Sequence, residues 1–414
     1  MAWLTNRGIL APVAYADIFD YPLTREEVIK FSPIKGDSFA NAKVSPYWTT
    51  SSYFHLPGRQ KLVSLRKKRW HFSQLKWQKL KQIKWLFSLI PWIKLVGVTG
   101  ALSMNNSIEN DDIDLLIITS KNRLWLARLL LTALLFFRLR RGHKINNRFC
   151  LNLFLDESAL ILAQQNLYTA HELCQLKPLY NRDQAYQNFL TANSWYKQYL
   201  PNFFQGPSFP QGPTLKDKSE KRSDLIGLLM DFFESLAFKF QYFYMKRKIT
   251  HEKIGRHFAF FHPRPTGEIV LKKYHKATKI ILVTGVFDIL HIEHKKLLLA
   301  AKNQGGILLV GVEADQRVRQ LKGPGRPINK LEVRIKNLQK LKLSDEVFPL
   351  PEKFDSDEDH SALINQIKPD ILAVSSSTPN LAVKRRTMQC SGGRVVIVLP
   401  HNPQISTTKI IKSQ

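Results

Sequence analysis

Cysteine is nearly absent from this chain: there are three in 414 residues, Cys150, Cys174 and Cys390, far apart. They form neither a disulfide framework nor a Cys-x-x-Cys metal pattern, and they fit a reducing cytoplasm. Acids are also scarce, 33 Asp and Glu against 62 Lys and Arg, for a formal net charge of +29. Such an excess favours polyanionic partners: nucleic acid, anionic lipid or phosphate-rich small molecules. No apolar run is clean enough for a membrane span, which takes about 20 residues almost free of charge. The nearest candidates, 124–137 and 224–245, carry Arg128 and Asp231, Glu234 and Lys239 respectively, and read as buried or amphipathic helices. The N-terminus meets acids before any uninterrupted apolar core and makes a poor signal peptide. There is no internal repeat. Apolar and aromatic residues are plentiful, 44% and 11% of the chain. That content excludes wholesale disorder, and the length allows two or three cores.

The chain divides into four segments. Residues 1–84 begin with a helical rhythm, then Pro22, then a capping box with Thr24 as N-cap and Glu27 at N3. Helix, helix and a strand pair is the order of a small winged-helix-like module, followed by a long basic helix that reads as a solvated connector. Residues 85–204 open on the apolar strand "IKLVGVTG". Residues 205–276 start with a linker rich in Pro, Gly, Ser and charge, then enter an amphipathic aromatic helix. Residues 277–414 alternate short β-branched runs ("KIILVTGVF", "GGILLVGVEA", "DEVFPL", "DILAVSS", "GRVVIVLP") with helical stretches. That alternation predicts an α/β domain with a Rossmann-like, doubly wound parallel sheet.

Ligands of such sheets sit at the carboxyl ends of the strands. In "GVFDILHIEH" (285–294) a strand turns into a helix there, with His291 and His294 at the helix start. Unpaired N–H groups and the positive dipole end suit a triphosphate. Two imidazoles could donate to an α-phosphate as it gains charge. A structural zinc site needs four ligands, and no third Cys or His lies nearby in sequence.

These residues resemble the GxFDxxHxxH signature of the cytidylyltransferase-like nucleotidyltransferases. The resemblance covers the whole fourth segment. "LKGPGRPIN" (321–329) is similar to the same stretch in the heptose-phosphate adenylyltransferases, with glycerol-3-phosphate cytidylyltransferase a more distant relative. "ISTTKII" (405–411) matches the family's last motif. The resemblance implies transfer of CMP or AMP from CTP or ATP to a phosphorylated acceptor, with release of pyrophosphate. By position it implies catalytic roles for His291, His294 and Lys322. It implies nucleotide contacts from Thr284, Gly285, Phe287, Asp288 and Arg334, and phosphate contacts from Ser406, Thr407 and Thr408. Mg²⁺ is expected as the phosphate counter-ion, held largely by phosphates and water. Three departures stand out. Glu293 occupies the usual Gly position between the histidines, "VSSSTPNLAVKRR" (374–386) replaces a Lys-Gly-Asp-type run, and "PHNPQ" lacks the usual Arg before the Ser-Thr motif.

A second constellation lies at 95–119. A strand ends in a Gly turn, and Asp112-Ile-Asp114 follows on another strand. Alternation puts both carboxylates on one face, about 7 Å apart. Two such aspartates can hold Mg²⁺ ions against a triphosphate. The pattern resembles the DNA polymerase β-like nucleotidyltransferase superfamily, an α+β fold. Ala101 stands at its Ser position, with Ser103 as a substitute. For the third carboxylate, "RFCLNLFLDE" offers Asn152 in place, with Asp156 and Glu157 nearer its end. His171 and Glu172 read as part of an ordinary packing helix.

The leading expectation is a cytoplasmic nucleotidyltransferase acting on a small sugar- or polyol-phosphate. Two alternatives stand beside it: a basic nucleic-acid-binding regulator with nucleotide-sensing domains, and nucleotide transfer at Asp112 and Asp114. Packing of the aromatic helix against another domain or another subunit, in a homo-oligomer, is a further expectation.

Overall fold

Five short β-branched runs of the last segment form one parallel sheet in the computed structural model. The structure describes residues 7–36, 49–50, 52–140, 147–203, 224–247, 249–250, 252–261, 265–400 and 402. These fall into two units, one gathering Met1–Tyr15 with Lys272–Gln414, the other Ala16–Ala40 with Ser45–Leu271.

Helix α1 (Arg7–Asp17) precedes α2 (Arg25–Lys30). The Thr24 capping box is present: the Glu27 amide donates to Thr24 Oγ1 at 3.3 Å, and the Thr24 amide donates to Glu27 Oε2 at 2.8 Å. β1 (Thr49–Thr50) and β2 (Tyr53–Phe54) pair antiparallel. Helix α3 (Leu62–Ile83) is more than a solvated connector. Its Arg66 binds the Glu27 carboxylate, and its Lys76 is 1% exposed.

The second unit contains a six-stranded mixed sheet of β3 (Ile93–Val98), β4 (Ile113–Thr119), β5 (Phe149–Asp156), β6 (Lys177–Asn181), β7 (Lys253–Ile254) and β8 (Phe258–Phe260), in the order β6-β3-β4-β5-β8-β7. β4 runs parallel to β5 and antiparallel to β3. Between the strands lie α4 (Gly100–Ser103), α5 (Leu124–Leu134), α6 (Leu167–Gln175), α7 (Ala185–Ala192) and α8 (Asp224–Lys246). Trp125, Phe154 and Leu131 are fully buried in the core. Their burial supplies the dominant stabilising term, roughly 25 cal/mol for each Å² of apolar surface.

After α9 (Thr266–Ala277) comes the parallel sheet: β9 (Ile280–Gly285), β10 (Ile307–Val312), β11 (Glu346–Pro349), β12 (Ile371–Ser375) and β13 (Arg394–Leu399). All four pairings are parallel, in the order β11-β10-β9-β12-β13. The crossover elements are α10 (Ile292–Lys302), α11 (Asp315–Lys322), α12 (Leu331–Lys340), α13 (Asp357–Ile367) and α14 (Leu381–Cys390). β10 is buried along its whole length, as expected of a strand covered on both faces. The chain order reverses between β9 and β12, so the crevice forms at their carboxyl ends. The Rossmann-like expectation holds, and each of the five predicted runs is a strand.

Candidate active site

Helix α10 begins where β9 ends, and His291 is its N-cap, in extended conformation (φ −124°, ψ 176°). The imidazole makes no capping hydrogen bond, so the first amides of this 11-residue helix keep their donors. The rings of His291 and His294 stack, with centroids 3.8 Å apart and planes 21° apart. Nδ1 of each ring is buried without a hydrogen-bond partner. Burial lowers both pKa values, that of His294 to about 4, where the neighbouring His291 charge adds to the effect. Both rings are therefore neutral near pH 7, each with one N–H to donate.

Glu293 turns along the helix. Its carboxylate accepts from Lys296 Nζ at 2.9 Å, which holds its pKa below the usual range, and Asn402 supplies a further hydrogen bond. The negative charge at the family's Gly position is thus paired on its own helix.

The other expected residues divide into two groups. Thr284 and Gly285 are half-buried at the end of β9, and Lys322 is exposed as the last residue of α11. Phe287 is buried with positive φ (50°), its ring 5.1 Å from that of His294. Of these four, Phe287 contacts the helix start through the His294 ring. Asp288 and Arg334 are instead engaged within the domain. The Asp288 carboxylate accepts from Arg326 Nη1 (2.9 Å) and from the amides of Ile328 (3.0 Å) and Asn329 (2.9 Å). Arg334 is 0% exposed and donates to the carbonyls of Asn329 (3.0 Å) and Val286 (2.7 Å) and to Asp315 Oδ1 (2.5 Å). In this structure they hold the "GPGRPIN" loop and the β9–α10 turn together. Ser406, Thr407 and Thr408 lie outside the described residues.

A further charged group follows β10 and β12 in the chain. Glu313 follows β10, and its Oε2 is buried without a partner. Burial raises its pKa, while Arg317 and Lys384 oppose the rise. Burial likewise lowers Lys384, which Glu313 partly offsets, and His360, whose ring is 4.1 Å from Phe354. In the sequence, the Lys-Arg-Arg run of "VSSSTPNLAVKRR" could supply charge through Lys384, whereas Glu313 was marked only by its place directly after a strand.

In the other unit, Asp112, Asp114 and Cys150 bring ligand atoms within 4.8 Å of one another. Gly100 makes this possible: with φ +63°, a Cβ there would lie 2.7 Å from Asp114 Oδ2. Buried Lys76 fixes the preceding loop by donating to Ser107 Oγ (3.0 Å) and to the carbonyls of Ile108 (2.7 Å) and Asp111 (2.8 Å). Burial, then Asp112, raises Asp114 to about 7. Burial, then the nearby Asp114 charge, raises Glu172 to about 7. His171, by contrast, is 2% exposed and a core residue.

The residues around the pair do not fit Mg²⁺, which takes hard oxygen ligands in near-octahedral geometry. Arg140 Nη1 donates to Asp112 Oδ2 at 2.6 Å, and the Asn152 amide nitrogen donates to Asp114 Oδ1. The Cys150 thiol donates to Asn152 Oδ1 at 2.7 Å, and burial pushes its pKa up to about 12. Asp156, the alternative third carboxylate, is fully buried elsewhere, capping the amides of Asn122 (3.0 Å) and Ser158 (2.8 Å) and contacting His257.

The comparisons concern the C-terminal unit. Residues 282–413 match the family described as Cytidylyltransferase-like. The C-terminal region is thus a cytidylyltransferase-like domain. Among curated relatives, the chain is 38% identical over 135 residues to the "Bifunctional protein HldE" of Alcanivorax borkumensis, covering 32% of this chain and 27% of that protein. It is 42% identical over 106 residues to the protein of the same name from Sulfurimonas denitrificans, covering 25% and 21%. The chain therefore spans about a quarter of the length of these relatives. A solved "lipopolysaccharide core biosynthesis protein from Thermoplasma volcanium GSS1" is 26% identical, covering 30% of this chain and 98% of that one, with a TM-score of 0.26.

Proposed function

We propose that the C-terminal domain transfers CMP or AMP from a nucleoside triphosphate to a small sugar- or polyol-phosphate and releases pyrophosphate. The supporting observation is the stacked, neutral His291–His294 pair, with buried unpaired Nδ1 atoms, at the start of α10. An acceptor phosphate oxygen attacks the α-phosphorus in line. The bond to the β-phosphate breaks, and pyrophosphate carries away the electron pair. The imidazole N–H groups and the first amides of α10 donate to the α-phosphate oxygens as their charge grows. Lys322 and Lys384 add positive charge for the acceptor phosphate. Arg334 and Asp288 position the β9–α10 turn. Mg²⁺, if bound with the triphosphate, would supply neutralising charge at its phosphates and would be held largely by phosphates and water.

The test is pyrophosphate release from CTP and from ATP across a panel of sugar- and polyol-phosphates. One donor should support turnover that His291→Ala and His294→Ala each remove, with circular dichroism unchanged. Turnover like wild type in both variants would refute the assignment.

A further inference from the structure

Helix α8 is packed inside out. Glu234 and Gln241, 8% and 6% exposed, face the protein on one stripe with Ala237. Glu234 accepts from the amides of Trp125 (2.7 Å) and Leu126 (2.9 Å) and so caps α5. Gln241 donates to the Trp125 carbonyl at 2.9 Å and accepts from Arg128 at 2.5 Å. Asp231 pairs with Arg123 at 2.5 Å. The opposite stripe of this 23-residue helix is apolar: Leu228, Phe232, Leu236, Phe240 and Phe243, spaced four, four, four and three residues apart, are 53–73% exposed. α5 does the same. Its Arg128 points inward over the rings of Trp125, Phe154 and Phe261, while Leu129, Leu130 and Leu134 are at least 40% exposed. A soluble helix buries its apolar face, so this pair is built for an apolar surround.

The surface continues past α5. Phe137, 84% exposed, and Leu134 share a cavity of about 470 Å³ with Ile83, Trp85 and Leu86. Exposed cations flank this surface. Lys81, Lys84, Arg138, Lys239 and Lys246 are exposed. No helix among the described residues is long and apolar enough to cross a membrane.

We propose that the outer faces of α5 and α8, with Trp85 and Phe137, dock on the surface of an anionic lipid bilayer. The aromatic and leucine side chains enter the headgroup–acyl boundary, and the surrounding Lys and Arg meet lipid phosphates. A second copy of the chain would bring two sets of these exposed cations together. Nucleic acid would meet a face with almost no hydrogen-bond donors. Both suit this surface less well than lipid.

The full chain is tested by co-sedimentation with phosphatidylcholine vesicles, with and without about a third phosphatidylglycerol. Wild type should bind the anionic vesicles and be released by salt. The Phe240→Ser/Phe243→Ser double variant should bind at least about tenfold more weakly, with circular dichroism and nucleotidyl transfer unchanged. Absence of vesicle binding, or binding untouched by the double variant, overturns the proposal. So does a dimer that the double variant dissociates, or retention on duplex DNA without vesicle binding. None of these outcomes depends on the transfer reaction, so the two proposals fail separately.

Discussion

At the head of α10, two imidazoles keep buried nitrogens without partners and a helix start keeps its amides. At the Asp112–Asp114 pair, every carboxylate already has a protein donor, Arg140 on one side and Asn152 on the other. Both places resemble phosphate-handling sites in sequence, yet one leaves buried nitrogens without partners and the other already ties each carboxylate to one protein donor. An unpaired buried donor costs stability, and a site that tolerates that cost is poised for a ligand. A carboxylate already tied to a donor has spent that hydrogen bond on the fold.

That contrast is open to direct attack, beginning with catalysis. His294→Ala is expected to lower turnover about 10²–10³-fold, the usual loss for one donor to a developing oxyanion, whereas Asp112→Asn should stay within about twofold. Steady-state pyrophosphate release measures both, and the reverse ranking would move the chemistry to the other unit. Stability comes next. Arg334→Met removes a fully buried guanidinium whose carboxylate partner, Asp315, is 29% exposed, together with its two carbonyl hydrogen bonds, and should cost about 3 kcal/mol in urea denaturation, against less than about 1 kcal/mol for the surface-exposed Arg140→Ala.

The pH dependence of stability should have opposite sign in the two units. His294 ordinarily titrates near 6.5 and does so near 4 when folded, so its contribution is lost as pH falls from 6.5 toward 4. Asp114 ordinarily titrates near 3.8 and near 7 when folded, so its contribution is lost as pH rises through that window. Melting curves should show Asp114→Asn flattening the loss on raising pH and His294→Asn flattening the loss on lowering it. An unchanged slope in either variant would remove that group from the account. The smallest effect belongs to Glu293→Gly. With the carboxylate already paired to Lys296, the change in kcat/KM should not exceed about fivefold, or about 1 kcal/mol. A larger gain would show that the acid opposes the triphosphate after all.

The parallel sheet was legible from sequence because strands buried on both faces read as near-continuous apolar runs, as β9, β10 and β12 do. The histidines were legible because a strand-to-helix corner fixes where its side chains stand. Arg334 was not: its position in the motif pointed to the nucleotide, but its three partners come from residues 286, 315 and 329, which only the fold assembles. Arg140 was missed for the same reason, since it reaches Asp112 from a segment far along the chain. Lys76 looked like one more exposed lysine in a basic helix, and no local pattern distinguishes the one lysine that points inward.

The knot tied by Arg334 bears on how this domain could be redesigned. One guanidinium joins the β9–α10 turn, the start of α11 and the "GPGRPIN" loop, so none of the three can shift alone. An acceptor of different size would meet a wall of fixed shape. Altered selectivity would then have to come from exchanging single side chains at the rim, such as Lys322 or Lys384, because lengthening or loosening the loop would unfasten the catalytic corner along with it.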